Sequence, residues 1–154
     1  MKMKLMVAGI GLLAAGSVLA AALTAPRDTP VRSGEVLSVG VASNTVIYAG
    51  AMTAINTSGY AVPASDTTNL VVLGRAEETV DNSGTAGAGA LSVAVRRGVF
   101  RWENADTVSI ANVGAKAYVK DDQSVTVTNS TTSVVAGTVL AVDADGVWVD
   151  STTK

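Results

Sequence analysis

At 154 residues, with 48% hydrophobic but only 4% aromatic residues, the chain holds one domain's worth of core built from many small Ala and Val contacts. Net charge is −2, and from residue 26 onward nine basic residues face thirteen acidic ones, so the basic footprint that releases counterions from nucleic acid is missing. Cysteine and histidine are both absent, which excludes disulfides and the usual zinc sites and removes the commonest general acid or base near neutral pH.

Charged residues make up 16% of the chain, below the roughly 25% usual for soluble domains. Such a composition implies a surface partly covered by something other than water. In chain order, the first feature is a charge-free stretch from Leu5 to Ala25 behind Lys2 and Lys4. As a helix rising about 1.5 Å per residue it would come close to a bilayer's hydrocarbon thickness. Three readings stay open: a secretory leader with an Ala-x-Ala site at Ala20–Ala22, a transmembrane anchor, and a retained apolar helix or arm buried against protein. Small residues at Gly11 and Ala15, and at Gly16 and Ala20, permit close helix approach in the last two cases. On the buried reading, Leu5, Leu12, Leu13, Gly16 and Leu19 are the contact residues.

Residues 26–33, Pro-Arg-Asp-Thr-Pro-Val-Arg-Ser, form a linker, because each proline stops a helix and biases its predecessor toward extended backbone. Residues 34–151 form the β-domain. Its expected strands are Glu35–Ala42, Thr45–Ile55, Leu70–Val80, Ala90–Trp102, Thr107–Ile110, Lys116–Lys120, Ser124–Thr128, Val134–Val142 and Val147–Asp150. They are rich in Val, Ile and Thr and bounded by Gly, Asn, Asp and Ser. A phase change from Val93 and Val95 to Phe100 and Trp102 places a bulge at Gly98. Asp145-Gly146 suits a type I′ hairpin turn, and Asp81 to Gly89 reads as an exposed flexible loop. No stretch has a helical period, and no internal sequence repeat is evident. The expectation is an all-β fold, a compact β-barrel or β-sandwich of short antiparallel strands, preceded by the apolar helix or arm.

Little here promises catalysis. Asp143-x-Asp145-Gly146 lacks the further oxygen ligands of a calcium loop and reads as a hairpin, and Asp121-Asp122 reads as a solvated turn. Glu77 and Glu78 are adjacent and cannot act as a paired acid and base on one strand face. The Gly-rich run at residues 84–89 lacks the Lys-Ser/Thr ending of a phosphate loop. Neither an enzyme nor a cofactor or metal site is expected. Arg96, Arg97 and Arg101 form the only basic cluster of the β part, either an edge kept soluble by charge or a docking point for an acidic neighbour. Trp102 and Trp148 are each core or interface, and Trp102 joins the arginines as a candidate contact.

The segments GEVLSVGVASNTVIYAGAMTAI, LVVLGRAEETV, ALSVAVRRGVF, VGAKAYVKDD and VVAGTVLAVDADGVWVD, with the turn Ala49-Gly50-Ala51, resemble the small β-rich capsid decoration, or cement, proteins of tailed bacteriophages and prophages. The likeness covers about three-quarters of the chain. The long apolar N-terminus departs from it, since the arms of such proteins are usually short and polar. The resemblance implies a virion protein on the capsid surface, a homo-oligomer with a trimer expected, whose partner is the major capsid protein and which binds no nucleic acid. The alternative is a secreted, periplasmic or membrane-anchored bacterial β-domain acting as a binding module, with the membrane involved only in that case.

Overall fold

The computed structural model describes residues 22–84, 87–106 and 108–153. The chain divides into two units, Met1–Val31 and Arg32–Lys154. The apolar stretch as far as residue 21, with Leu5, Leu12, Leu13, Gly16 and Leu19, lies outside the described residues. Residues 22–34 are irregular and exposed. No helix among the described residues is long and apolar enough to cross a membrane.

The second unit is all-β. Its strands are β1 (Val36–Gly40), β2 (Thr45–Ile47), β3 (Met52–Ile55), β4 (Ala61–Pro63), β5 (Val71–Ala76), β6 (Val80–Asn82), β7 (Ser92–Arg96), β8 (Val99–Asn104), β9 (Lys116–Val119), β10 (Ser124–Thr126), β11 (Val135–Asp143) and β12 (Gly146–Asp150). Of the strand expected over Thr107–Ile110, Val108 and Ser109 are irregular and Ile110 begins a 3-10 turn, Ile110–Asn112, while Thr107 lies outside the described residues. Asn112 receives hydrogen bonds from the Ser109 backbone and hydroxyl, which closes that turn against extension.

Three sheets result. An open sheet has the order β1-β7-β5-β3-β4, a closed barrel has the order β10-β8-β12-β11-β9, and β2 pairs with β6 as a ribbon. Neighbours are antiparallel except β10 and β8, whose parallel pairing closes the barrel. The expected strand from Thr45 to Ile55 is broken at Tyr48–Ala51, where Ala51 N donates to Tyr48 O at 3.1 Å and Gly50 takes a positive φ of 89°. Likewise, the chain from Ala90 to Trp102 carries no bulge at Gly98. It leaves the open sheet after Arg96 and enters the barrel at Val99, so the phase change records a change of sheet. Strand β4 was not legible, because Pro63 and a run of only three residues hide it.

The open sheet and the barrel are two copies of one topology. Strand for strand, β1, β7, β5, β3 and β4 match β8, β12, β11, β9 and β10. Details repeat too: Gly50 N donates to Ala76 O at 2.8 Å, and Gly114 N donates to Val139 O at 2.8 Å. The two glycines have φ values of 89° and 88°. Ala42 N donates to Ala61 O in the first copy, and Ala105 N to Val125 O in the second, both at 3.0 Å. The first copy is closed only by an isolated parallel bridge between Val41 and Ala61. Few residue identities survive between the copies beyond Val71-Val72-Leu73-Gly74 and Val134-Val135-Ala136-Gly137, so the repeat escaped the sequence.

Those two segments explain the bulges. Pairing slips between Thr53↔Gly74 and Ala54↔Val72, and again between Gly137↔Ala117 and Val135↔Tyr118. A Cβ on Gly74 would run into the carbonyl oxygen of Arg96, and one on Gly137 into that of Asp150. Leu73 then packs into the core of the first copy with Val41, Ile47, Val93 and Val95. Val72 points the other way and joins Met52 and Ala54 in the barrel's core cluster beside Val139, Val147 and Val149. Each fully buried Val is worth about 1.5–3 kcal/mol relative to exposure.

Two more expectations change. The Ala144-Asp145 hairpin tip is present, but neither residue has positive φ, so the turn is not type I′. The loop after Val80 is not free from its start: Asp81 and Asn82 belong to β6, and Asn82 is buried. Its side-chain amide donates to Val41 O, Ala42 O and Gly87 O at 3.2, 2.9 and 3.2 Å.

Gly137→Ala should lower unfolding free energy by roughly 2–3 kcal/mol, because the new methyl group meets backbone and not a movable side chain. Urea denaturation of the variant beside the parent checks this, and an unchanged midpoint would contradict the close approach.

Candidate interaction surface

The largest aromatic grouping lies where the open sheet meets the barrel. Phe100 and Trp102 alternate on β8 and both turn toward the barrel's inside. Their rings meet edge-on, with centroids 6.0 Å apart and planes at 66°. Arg75 of β5 lays its guanidinium over Phe100 at 4.8 Å, tying the open sheet to the barrel by a cation–π contact.

Arg75 is also directly opposite Arg96 in the β5–β7 ladder. Like charges in that position repel. Glu77 relieves the conflict: its Oε1 accepts from Arg75 Nη2 at 2.5 Å and its Oε2 from Arg96 Nε at 3.0 Å. The Arg75 hydrogen bond, then that of Arg96, holds the Glu77 carboxyl below its ordinary value. Arg101 pairs with Asp145 at the exposed hairpin tip, 3.2 Å away. Arg97 is exposed and takes part in none of these ion pairs. The three arginines that the sequence groups together therefore have different roles: Arg96 offsets strand repulsion, Arg101 steadies a hairpin, and Arg97 meets solvent.

The tryptophans separate as well. Trp102 is 5% exposed and belongs to the core, so it is corrected from a candidate contact to a packing residue. Trp148 is 37% exposed on the outer face of β12, opposite Arg101. Its indole N–H donates to Asp143 Oδ2 at 2.7 Å, which fixes the ring and, as the first cause, depresses the Asp143 pKa. Asp143 also accepts from Asp145 N at 2.9 Å, so the two aspartates build a turn.

Two shallow hollows meet at Gly50. One is lined by Tyr48, Ala49, Ala51, Asp122 and Gln123, the other by Arg75, Val99, Phe100, Arg101 and Trp148, with Trp102 at its back. Tyr48 is 64% exposed and Val99 44%. Together with Trp148 and Arg101 they make an outward patch of aromatic, aliphatic and guanidinium groups, the residue types enriched in protein interfaces. Sequence reasoning missed Tyr48 by placing it inside a continuous strand. The Gly50 turn was the signal available.

A separate hollow has Asp66, Ala105, Asp106, Lys120, Thr126, Thr128 and Ser130 in its wall. Thr128 donates to Asp106 at 2.9 Å and Thr132 to Asp66 at 2.9 Å, so hydroxyls satisfy these carboxylates locally. Asp121 accepts from Gln123 N, Ser124 N and Ser124 Oγ and caps a turn, as its position before β10 suggested. No group of three or more acidic or metal-binding side chains is assembled among the described residues.

No family model, curated protein or solved structure matches this chain.

Glu77 contributes its stabilisation fully above the unfolded carboxylate pKa, and the contribution is lost as pH falls through the depressed folded value. Glu77→Gln should therefore be less stable than the parent at neutral pH, and its stability should change less on acidification. Denaturation midpoints measured for both proteins at neutral pH and below the carboxylate range check the sign.

Proposed function

We propose that this chain is a structural virion protein that decorates a tailed-phage capsid and stabilises it by binding between major capsid subunits as a homo-oligomer, with a trimer implied by the resemblance. The observation that carries the reading is the Tyr48–Val99–Arg101–Trp148 patch, contact chemistry exposed on a rigid β scaffold. The absence of histidine and cysteine supports a role without bond making or breaking. A cement protein needs only buried interface that must be lost before the shell can open.

One feature favours a second reading. The charge-free stretch Leu5–Ala25 suits a secreted or membrane-anchored β-domain acting as a binding module. Intact mass and fractionation separate the two: a full-length chain on detergent-free particles supports the shell role, and a shortened chain or one confined to envelope fractions overturns it.

Trp148→Ala should keep the fold and weaken attachment to shells at least about tenfold, as expected for an aromatic anchor. Trp102→Ala should instead lose about 3–5 kcal/mol of stability, because it empties core volume. Co-sedimentation with expanded shells, paired with urea denaturation, checks both, and full shell binding by Trp148→Ala would refute the patch.

A further inference from the structure

Strand β1 is an edge strand, and among the described residues no strand pairs with its outer side. Arg97 N donates to Glu35 O and Val41 N to Leu91 O, both at 2.8 Å, so the odd-numbered residues aim their backbone groups at β7. Val36, Ser38 and Gly40 turn theirs the other way. On that side the first backbone hydrogen bond among the described residues is Ala42 N to Ala61 O.

The duplicated fold supplies an internal comparison. In the barrel, β8 holds the place of β1, and the positions matching Ser38 and Gly40 are Arg101 and Glu103, both exposed charges. Charge on an edge discourages strand addition. Leu37 and Val39 of β1 are matched by Phe100 and Trp102, whose rings pack on the barrel core. Beside β1, with its smaller side chains, a hollow stays open, walled by Val36, Leu37, Val39, Ile55 and Leu73 together with Ser38 and, from the preceding segment, Arg32 and Ser33. On its outer side β8 thus carries the Arg101 charge and, from Glu103, is paired with β10, whereas β1 has neither charge nor strand there among the described residues.

We propose that β1 pairs antiparallel with β1 of a second copy of this chain, about a twofold axis at Ser38, making one continuous sheet from two open ones. The strand is complementary to itself. Residues 36–40 contain neither charge nor proline, so pairing opposes no like charges. Val36 comes opposite Gly40 of the other copy, a residue without a side chain whose Cβ side is backed by Gly89 and Tyr60, so Val36 would pack beside those two. Ser38 meets Ser38, and Leu37 meets Val39 in the closer, non-hydrogen-bonded type of pair, which covers both hollows. This pairing needs only copies of this chain and stands apart from the shell reading. A twofold contact also joins chains across a threefold cluster, not within it.

The chain has no cysteine, so a single introduced one reports the contact without ambiguity. In the paired state the two Ser38 Cα atoms would lie about 5.5 Å apart, within disulfide reach. Oxidised full-length Ser38→Cys should run mainly as a dimer on non-reducing electrophoresis, while Glu103→Cys, at the place that matches Gly40 but is already paired with β10, should stay monomeric. Ser38→Lys should weaken self-association at least about tenfold by light scattering, with circular dichroism confirming that each variant is folded. Equal dimer yields from the two folded cysteine variants would overturn the proposal, as would unchanged association of Ser38→Lys. Crosslinking of Ser38→Cys only when shells are added would also overturn it, by assigning the edge to a different strand.

Discussion

At two of the places where strand pairing slips, a strand passes so near a neighbouring carbonyl that only a hydrogen atom fits on its α-carbon. Gly74 lies against Arg96 O and Gly137 against Asp150 O. The consequence is a slip in pairing that reverses the alternation of faces along the strand, so that Val72 and Ala76 enter different clusters. Leu73 and Ala136 turn to the inside of their respective copies, and Val72 leaves its own sheet to pack with the barrel core. Without that slip Val72 would have no claim on the barrel, and the hydrophobic cluster uniting the two copies would lose a member from the middle of the open sheet.

The charged groups follow from the same arrangement. Bringing β5 beside β7 sets Arg75 opposite Arg96, and Glu77 neutralises both. Arg75 then lies over Phe100 across the boundary between the copies. These groups are partly solvated, so each ion pair contributes modestly; their effect is to make one register and one docking of sheet on barrel better than its neighbours. Hairpin β11–β12 works similarly, with Asp143 holding the Trp148 indole and Asp145 holding Arg101.

Duplication with divergence describes how such a scaffold acquires contacts. The barrel copy has filled its groove with Phe100 and Trp102 and set charges along β8, while the open copy keeps Leu37, Val39, Ser38 and Gly40 at the matching places. The first copy also carries what the second lacks: the β2–β6 ribbon, pinned by Asn82 to Val41 and Ala42. One half is finished as a core, and the other is left with surface to share.

The all-β class was legible from the amino acids alone, since Val- and Thr-rich runs between Gly, Asn and Asp leave no helical alternative over residues 34–151. So was the lack of histidine and cysteine, because composition does not depend on folding. The candidate surface was only half legible. Arg101 stood out as a charge, but its partner Asp145 lies far along the chain, and nothing local distinguishes Trp102, which is buried, from Trp148, which is not. Each sits in an alternating apolar strand, and only the sheet packed against it decides which face is inside. The repeat, the parallel closure of β8 on β10 and the division at Gly98 between two sheets belong to the tertiary structure for the same reason. Local pattern specifies that a segment is extended, whereas its hydrogen-bonding neighbour is chosen by packing between residues distant in sequence.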